Sequence, residues 1–532
     1  MGVPGLAPLF FKKYPKYVNH FIGKSNYKQV DCLYLDANGL LHAATQQVFN
    51  YGQGKSMLDR FSNLSYSEKV TKSFDLFFDN LMELIDIVRP TELLFIAFDG
   101  PAPVAKQTQQ RQRRFMSVMN NSSSDTSTAF NTSSITPGTE FSFDLEKYFN
   151  FRLRKDGNTH PILSKITTLF SSQREPGEGE HKLLDYIRAL SLETRRNKTH
   201  CLFSPDGDLI LLTLVLASIN ECNISLFRED IYNNSYYHLV DMKGIANTIP
   251  KDKVLEFVFS STFVGNDFSP KLRMFYYLKD GINLMENICN KLRTPLIKNN
   301  KLDEDSFKEF IRVMQRRETE YFNQQLSKTP DDERFVYKIL LTSTNSNGIN
   351  FSEFRSKYYE KFGDNTVIKN VCESYMKMLI WVFEYYTKGL PSWDYFYPYY
   401  YPPLMTDFSN YVNSNSLSFT FVKGEPSTPF VSLFSVIPFE SKELLPDHLR
   451  CSVQNTEKFE IDYEGNTKEY QAIAKVSFID REHVNNIVNK FKKENDKYKR
   501  NKIDKTYKYF KSDKKIKITT KYGTCITNVV KI

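Results

Sequence analysis

At 532 residues the chain is long enough for more than one folding unit. Its hydrophobic content of 41% and aromatic content of 14% exclude a disordered or low-complexity protein. A net charge of +9, from 71 basic against 62 acidic residues, admits a polyanionic partner without requiring one.

The seven cysteines are dispersed, with no close pair of the kind that zinc or redox motifs use, so reduced thiols in an intracellular compartment are expected. The longest apolar run, 209–219, is too short to span a bilayer. No secretory signal is read at the N-terminus, and Leu6 stands where a myristoylation signal wants Ser or Thr. No membrane partner is expected.

In chain order, strand-like runs at 29–35, 93–98, 200–204 and 224–228 alternate with helical patterns at 72–88, 145–149 and 180–189. The alternation predicts an α/β fold with a mostly parallel central sheet flanked by helices. The Ser/Asn/Thr-rich stretch 117–136 reads as a flexible loop. From about 300 the pattern turns helical and closes with 371–388, followed by the proline-broken aromatic stretch PSWDYFYPYYYPP at 391–403. The lysine-heavy end, with Tyr and Phe interleaved, reads first as a solvated, partly disordered extension and second as a non-specific nucleic-acid contact.

Carboxylates recur at strand ends. Asp36 closes CLYL, Asp99 follows LLFIAF, Asp206 and Asp208 follow HCLFS, and Asp267 follows TFVGN. Glu178 and Glu180 open a helix after Pro176 and Gly177. Each alone reads as a turn or helix-start residue. Together at the carboxyl end of one sheet, where ligand crevices lie, they would repel severely unless cations neutralised them. An oxygen-rich set of this kind suits Mg²⁺ or Mn²⁺, and two ions about 4 Å apart would serve phosphodiester hydrolysis. His181 has no second histidine at metal-ligand spacing, and no G-x-S-x-G motif is present.

Between Asp99 and Phe115 lies a cationic segment. On a helix, Lys106, Gln110, Arg113 and Arg114 fall within an arc of about 100°, with Arg111 outside it. Beside a strand-end acid this arc is a plausible seat for a phosphate; taken alone it also reads as a solvated basic helix face.

The ordered motifs DANGLLH (36–42), FDGPAPVAKQTQQRQRRF (98–115), TPGTEF (136–141), EPGEGEHKLLDYIR (175–188), SPDGDLILL (204–212) and VGNDFSP (264–270) resemble the 5′→3′ exoribonucleases of the Xrn/Rat family. MGVPGL at the start, SWDYFYPYYYPP (392–403), FVKGEPSTPF (421–430) and SFID (477–480) extend the likeness over roughly 1–485. The resemblance implies a core like that of the PIN and flap nucleases at 1–290, a linker or helical segment at 291–350, a second conserved block at 351–485 completing the pocket, and a tail at 486–532. It makes Asp36, Asp99, Glu178, Glu180, Asp206, Asp208 and Asp267 the catalytic metal ligands, with Mg²⁺ as cofactor and Mn²⁺ as its substitute. Lys106, Gln110, Arg113 and Arg114 would grip a 5′-monophosphate. His42 would stack with Trp393, or with Tyr395, which stands where the family usually has a second tryptophan; ordinary core packing is the alternative for either aromatic.

The implied activity is processive, Mg²⁺-dependent 5′→3′ degradation of single-stranded RNA bearing a 5′-monophosphate, by a monomer. Two rivals stay open: a flap-type DNA nuclease and an inactive RNA-binding scaffold. Three departures are visible. Phe268-Ser269-Pro270 follows Asp267 where the family reads Phe-Leu-Pro, a short Ser/Asn-rich stretch replaces a long charged helix, and a chain without the appendages of larger members is expected. The expectation is a minimal catalytic core working in the cytoplasm, with the nucleus left open.

Overall fold

The computed structural model describes residues 5–22, 29–121, 130–230, 236–272, 274–275, 278–325, 335–345, 348–363, 366–453, 459–463 and 472–532. The opening MGVP, positions 122–129 of the Ser/Asn/Thr-rich stretch, and 326–334 and 346–347 of the linker lie outside them.

Nine strands form one sheet: β1 (Val18–Ile22), β2 (Cys32–Asp36), β3 (Leu93–Ala97), β4 (Thr167–Ser171), β5 (His200–Phe203), β6 (Ile224–Glu229), β7 (Tyr236–Asp241), β8 (Tyr507–Thr520) and β9 (Gly523–Lys531). Their spatial order is β1-β7-β6-β5-β2-β3-β4-β8-β9. The middle of the sheet, from β6 through β5, β2 and β3 to β4, is parallel. Both margins are antiparallel: β7 and β1 extend one side, β8 and β9 the other.

The central strands are buried on both faces, as parallel strands between helices must be. Alternation divides them. Cys32 and Tyr34 face a core containing α5 (Gly179–Ala189) and α6 (Leu209–Ser218). Leu33 and Leu35 face the other, built on α1 (Asn38–Val48), α2 (Tyr66–Val88) and α4 (Glu140–Thr159). The apolar run at 209–218 is thus a helix buried at every position. Among the described residues no helix is long and apolar enough to cross a membrane. The start of α2 is written locally: Ser65 accepts from the Glu68 backbone N–H while Glu68 reaches back to the Ser65 N–H, a capping box contributing about 1 kcal/mol.

Helix α8 (Ile368–Thr387) from the second block puts Tyr375, Leu379, Trp381, Val382 and Tyr385 into the first core, alongside Leu183 of α5 and Leu212 of α6. The two blocks therefore share one apolar interior.

Several sequence expectations are corrected. The C-terminal stretch is not a disordered extension: Tyr507–Thr520 and Gly523–Lys531 form a hairpin whose first strand pairs with β4. Tyr509 and Val529 are buried on the α4 side, and Thr527 donates to the Arg154 carbonyl at 2.6 Å. Lysines on the opposite, wet face conceal this apolar alternation. The described parts of 117–136 are not a loose loop either. Helix α3 (Val104–Asn121) runs through its first residues. A short 3₁₀ turn at Thr132–Ser134 follows, and Phe130, Ser133, Ser134 and Thr136 are buried. The helix expected at 145–149 spans Glu140–Thr159, capped by Thr139.

Candidate active site

Parallel register brings the strand ends level. Asp36 is the last residue of β2 and pairs with Ala97, so Asp99 lies two residues beyond the same edge. Glu178 stands at the N-cap position of α5, its side chain turned to the cluster rather than to the helix, and Glu180 sits in the first turn. Asp206 and Asp208 occupy the turn between β5 and α6, with Asp208 at the helix start. Asp267 follows helix α7 (Lys251–Ser261) and a 3₁₀ turn, in a bend made at Gly265. Gly265 has φ 94°, and a Cβ there would lie 2.8 Å from Cβ of Lys271, so both conformation and space call for glycine.

Oxygens of Asp36, Asp99 and Glu180 lie within 4.8 Å of one another, and Glu178, Glu180 and His181 form an overlapping trio of the same compass. Burial and the charges of Asp99 and Asp206 raise the Asp36 carboxyl well above its usual range. Burial, Glu178 and Asp36 do the same to Glu180. Burial, with Asp206 and Asp267 contributing, pushes Asp208 up to about 7. All seven acids therefore belong to one electrostatic unit. Asp36 Oδ1 and Asp208 Oδ1 are buried without a hydrogen-bond partner. Crowded carboxylates with orphaned oxygens fit a hard divalent cation, and the cluster can hold one.

Lys106 enters this unit from α3. Its Nζ lies 2.6 Å from Glu178 Oε2 and 2.8 Å from Asp267 Oδ2. Burial disfavours its charge, but Asp267, Glu178, Glu180 and Asp208 outweigh burial and hold its pKa well above the ordinary value. Along the same helix Gln110 is half-buried, Arg113 is solvent-accessible and Arg114 is half-buried. Arg114 is pushed down to about 10 by burial and by Arg113, and its Nη1 has no partner. His42 on α1 is solvent-accessible yet walled by protein; that enclosure and Arg113 push its pKa down to about 4, so the ring is neutral near pH 7. Arg111, outside the basic arc, turns to the second block and donates to the carbonyls of Ser477 at 3.1 Å and Ser435 at 3.2 Å.

The aromatic segment is split in role. The Trp393 carbonyl accepts from Val104 N at 2.9 Å, fixing it to the first turn of α3, and its side chain is half-buried without a ring contact among the described residues. Tyr395 instead packs on Trp381 and Phe421, and its hydroxyl donates to the Ser374 carbonyl at 2.7 Å.

Other residues completing the site were not singled out from the sequence. Tyr385 of α8 donates to Glu178 Oε1 at 2.8 Å and stacks on His181, ring centroids 3.7 Å apart. Ser204 Oγ donates to Asp36 Oδ2 at 2.9 Å, Asn38 donates to Asp99, and Gly179 N donates to Asp99 Oδ1 at 2.7 Å. Lys182, pushed down to about 8 by burial, ties the Phe98 and Ser172 carbonyls together. Ser204 and Asn38 adjoin motif acids, which is a usable signal; Tyr385 sits in an apolar helical pattern that gives none.

The family profile described as the XRN 5′-3′ exonuclease N-terminus matches residues 1–230, and the one described as the Xrn1 helical domain matches 346–531. The human protein named 5′-3′ exoribonuclease 1 is 25% identical, over 91% of this chain and 34% of its own length. The Arabidopsis thaliana 5′-3′ exoribonuclease 2 is also 25% identical, over 91% of this chain and 66% of its own. The chain thus spans about a third of the human relative and two thirds of the plant one. The catalytic core of Rad2 with a DNA substrate aligns to 72% of this chain and 95% of that one at 13% identity with a TM-score of 0.31, too slight a likeness to weigh. The chain belongs to the XRN family of 5′-3′ exonucleases.

Proposed function

We propose that the chain is a processive 5′→3′ exoribonuclease that uses Mg²⁺ to release 5′-mononucleotides from 5′-monophosphorylated RNA. The observation that carries this reading is the adjacency of an electrostatically linked set of seven carboxylates, of which Asp36, Glu178, Glu180 and Asp208 are buried, and a cationic helix face, joined through Lys106. Relatives matched over 91% of the chain bear the name 5′-3′ exoribonuclease, which supports the same reading.

Asp36, Asp99, Glu178, Glu180, Asp206, Asp208 and Asp267 would hold two Mg²⁺ ions, with Mn²⁺ able to replace them. When bound, such ions activate water and stabilise the leaving oxygen of a phosphodiester. The chain's own residues do the rest. Gln110, Arg113 and Arg114 receive the terminal phosphate, and Lys106 stands where phosphate and carboxylates meet. A planar guanidinium fits a monophosphate bidentately, whereas a triphosphate or cap brings extra bulk and charge. His42, neutral near pH 7, offers a flat face to the first base, and Trp393 supplies the opposing one.

The test is digestion of one labelled RNA carrying a 5′-monophosphate, triphosphate or hydroxyl, with Mg²⁺ or EDTA. Mononucleotide release confined to the monophosphate with Mg²⁺ is expected. Internal cuts irrespective of the 5′ group would replace this reading with a flap-type nuclease, and binding without cleavage would replace it with a scaffold. In the same assay Arg113→Ala should erode the monophosphate preference; an unchanged preference would discard the phosphate seat.

A further inference from the structure

Seven residues, 172–178, connect β4 to α5 and deliver Glu178 and Glu180 to the cluster. One flank of this loop is bound to the Asp99 turn: Gly100 N donates to the Gly177 carbonyl at 2.8 Å, and Gly177 N to the Pro101 carbonyl at 3.0 Å. The approach is so close that a Cβ on Gly100 would lie 1.7 Å from the Glu175 carbonyl oxygen.

The other flank is bound to the far end of the sequence. Arg174 forms a two-pronged pair with Glu146, Nε to Oε2 and Nη2 to Oε1, each 2.7 Å. The same guanidinium pairs with Asp504, and its Nη1 donates to the Lys502 carbonyl at 3.2 Å. Asp504 N donates to the Arg174 carbonyl at 3.2 Å, and Thr506 Oγ1 donates to Glu175 Oε2 at 2.7 Å. Strand β8 then begins at once, with Tyr507 opposite Phe170 of β4. The chain after the second block thus returns as a brace on the ligand loop, and Arg174 is where three remote segments meet.

We infer that Arg174 is a positioning residue: through it, residues 502–507 set where Glu178 and Glu180 stand, and so the metal affinity and turnover of the site. The inference rests on the proposed carboxylate site. Arg174 touches none of the seven acids. It lies four residues from Glu178 on a loop whose opposite flank holds Asp99, so a shift at Arg174 is delivered to both sources of carboxylate. Displacements of about 1 Å suffice to cost about 100-fold in rate, and lost supporting contacts typically weaken metal binding by about 10- to 100-fold.

The full chain is compared with Arg174→Met and Arg174→Lys in three measurements: Mn²⁺ affinity from the free-ion EPR signal, affinity for a hydrolysis-resistant 5′-phosphorylated RNA, and kcat with KM. Arg174→Met is expected to weaken Mn²⁺ binding by about 10-fold and lower kcat by about 10- to 100-fold, with RNA affinity within about twofold and Arg174→Lys between the two. A lower melting temperature with unchanged Mn²⁺ affinity and kcat would overturn the inference. If Arg174→Met does not fold, Thr506→Val replaces it, with a loss of the same sign of about threefold expected and no change overturning. Weakened Mn²⁺ binding in a chain that never releases nucleotides would remove the proposed activity and leave the brace standing.

Discussion

The Tyr385 hydroxyl donates to Glu178 Oε1 at 2.8 Å while its ring lies parallel to His181, 4° between planes. One side chain of the second block thus fixes both a carboxylate and its neighbour on α5. Tyr385→Phe keeps the stack and removes the bond. A hydrogen bond to a charged group contributes about 1.5–3 kcal/mol, so kcat should fall by about 10- to 100-fold with KM little changed. Single-turnover kinetics on phosphorylated RNA measure it, and an unaltered rate would show that Glu178 is oriented without Tyr385.

Asp208→Ala should cut turnover by on the order of 1,000-fold, because several kcal/mol of charge stabilisation depend on the cation it helps to hold. RNA binding should remain measurable by filter retention. Retained hydrolysis would remove Asp208 from the ligand set.

Lys106 is the internal counter-ion of the cluster, touching Glu178 and Asp267. Removing one partner of a buried ion pair costs about 3–5 kcal/mol. In EDTA, Lys106→Met should therefore melt well below the unmodified chain, and Mg²⁺ should restore more stability to the variant than to the parent. Calorimetry with and without Mg²⁺ decides it; an equal Mg²⁺ response would mean the cation and Lys106 act independently.

The cluster also sets a pH dependence. Asp208 is pushed up to about 7 by burial and Asp206, against about 3.9 in an unfolded chain. Between those values the folded state holds the extra proton, so without metal this group's contribution to stability falls as pH rises from about 4 through about 7. Asp36 and Glu180, also raised, act in the same direction. His42, pushed down to about 4 by its protein enclosure and by Arg113, acts oppositely between that value and its unfolded pKa of about 6.5. Comparing Asp208→Asn with the parent in EDTA isolates the acid. The parent should lose stability relative to the variant across this window, and Mg²⁺, which binds the ionised carboxylate, should remove that loss.

Trp393 and Tyr395 should separate cleanly. Base stacking on an aromatic contributes about 1–3 kcal/mol, so Trp393→Ala should weaken RNA binding by about 5- to 100-fold. Tyr395→Phe, which loses only the bond to the Ser374 carbonyl, should leave RNA affinity unchanged. A fluorescence titration with short phosphorylated RNA distinguishes them, and the reverse ranking would reassign the stacking face.

Much of this chain is legible before it folds. The runs CLYL, LLFIAF and CLF are apolar throughout because parallel strands covered on both faces have no wet side, and a carboxylate follows each within three residues: Asp36, Asp99 and Asp206. The 3.6-residue period placed Lys106, Gln110, Arg113 and Arg114 on one face of α3 and turned Arg111 away, where the second block holds it. Those features are local: periodicity and strand ends need only a few consecutive residues.

What only the tertiary structure decided is every contact made across long sequence separation. No local pattern announces that Tyr385 reaches Glu178, that Lys106 lies between Glu178 and Asp267, or that Arg174 meets Asp504. The lysine-rich end was the hardest to read, because in an edge hairpin one face is wet and its lysines outnumber the buried Tyr509, Thr527 and Val529 on the other. Composition averages the two faces, and only pairing with β4 separates them. The sequence by itself determined which groups do the chemistry; the fold decided which of them stand together and what holds them there.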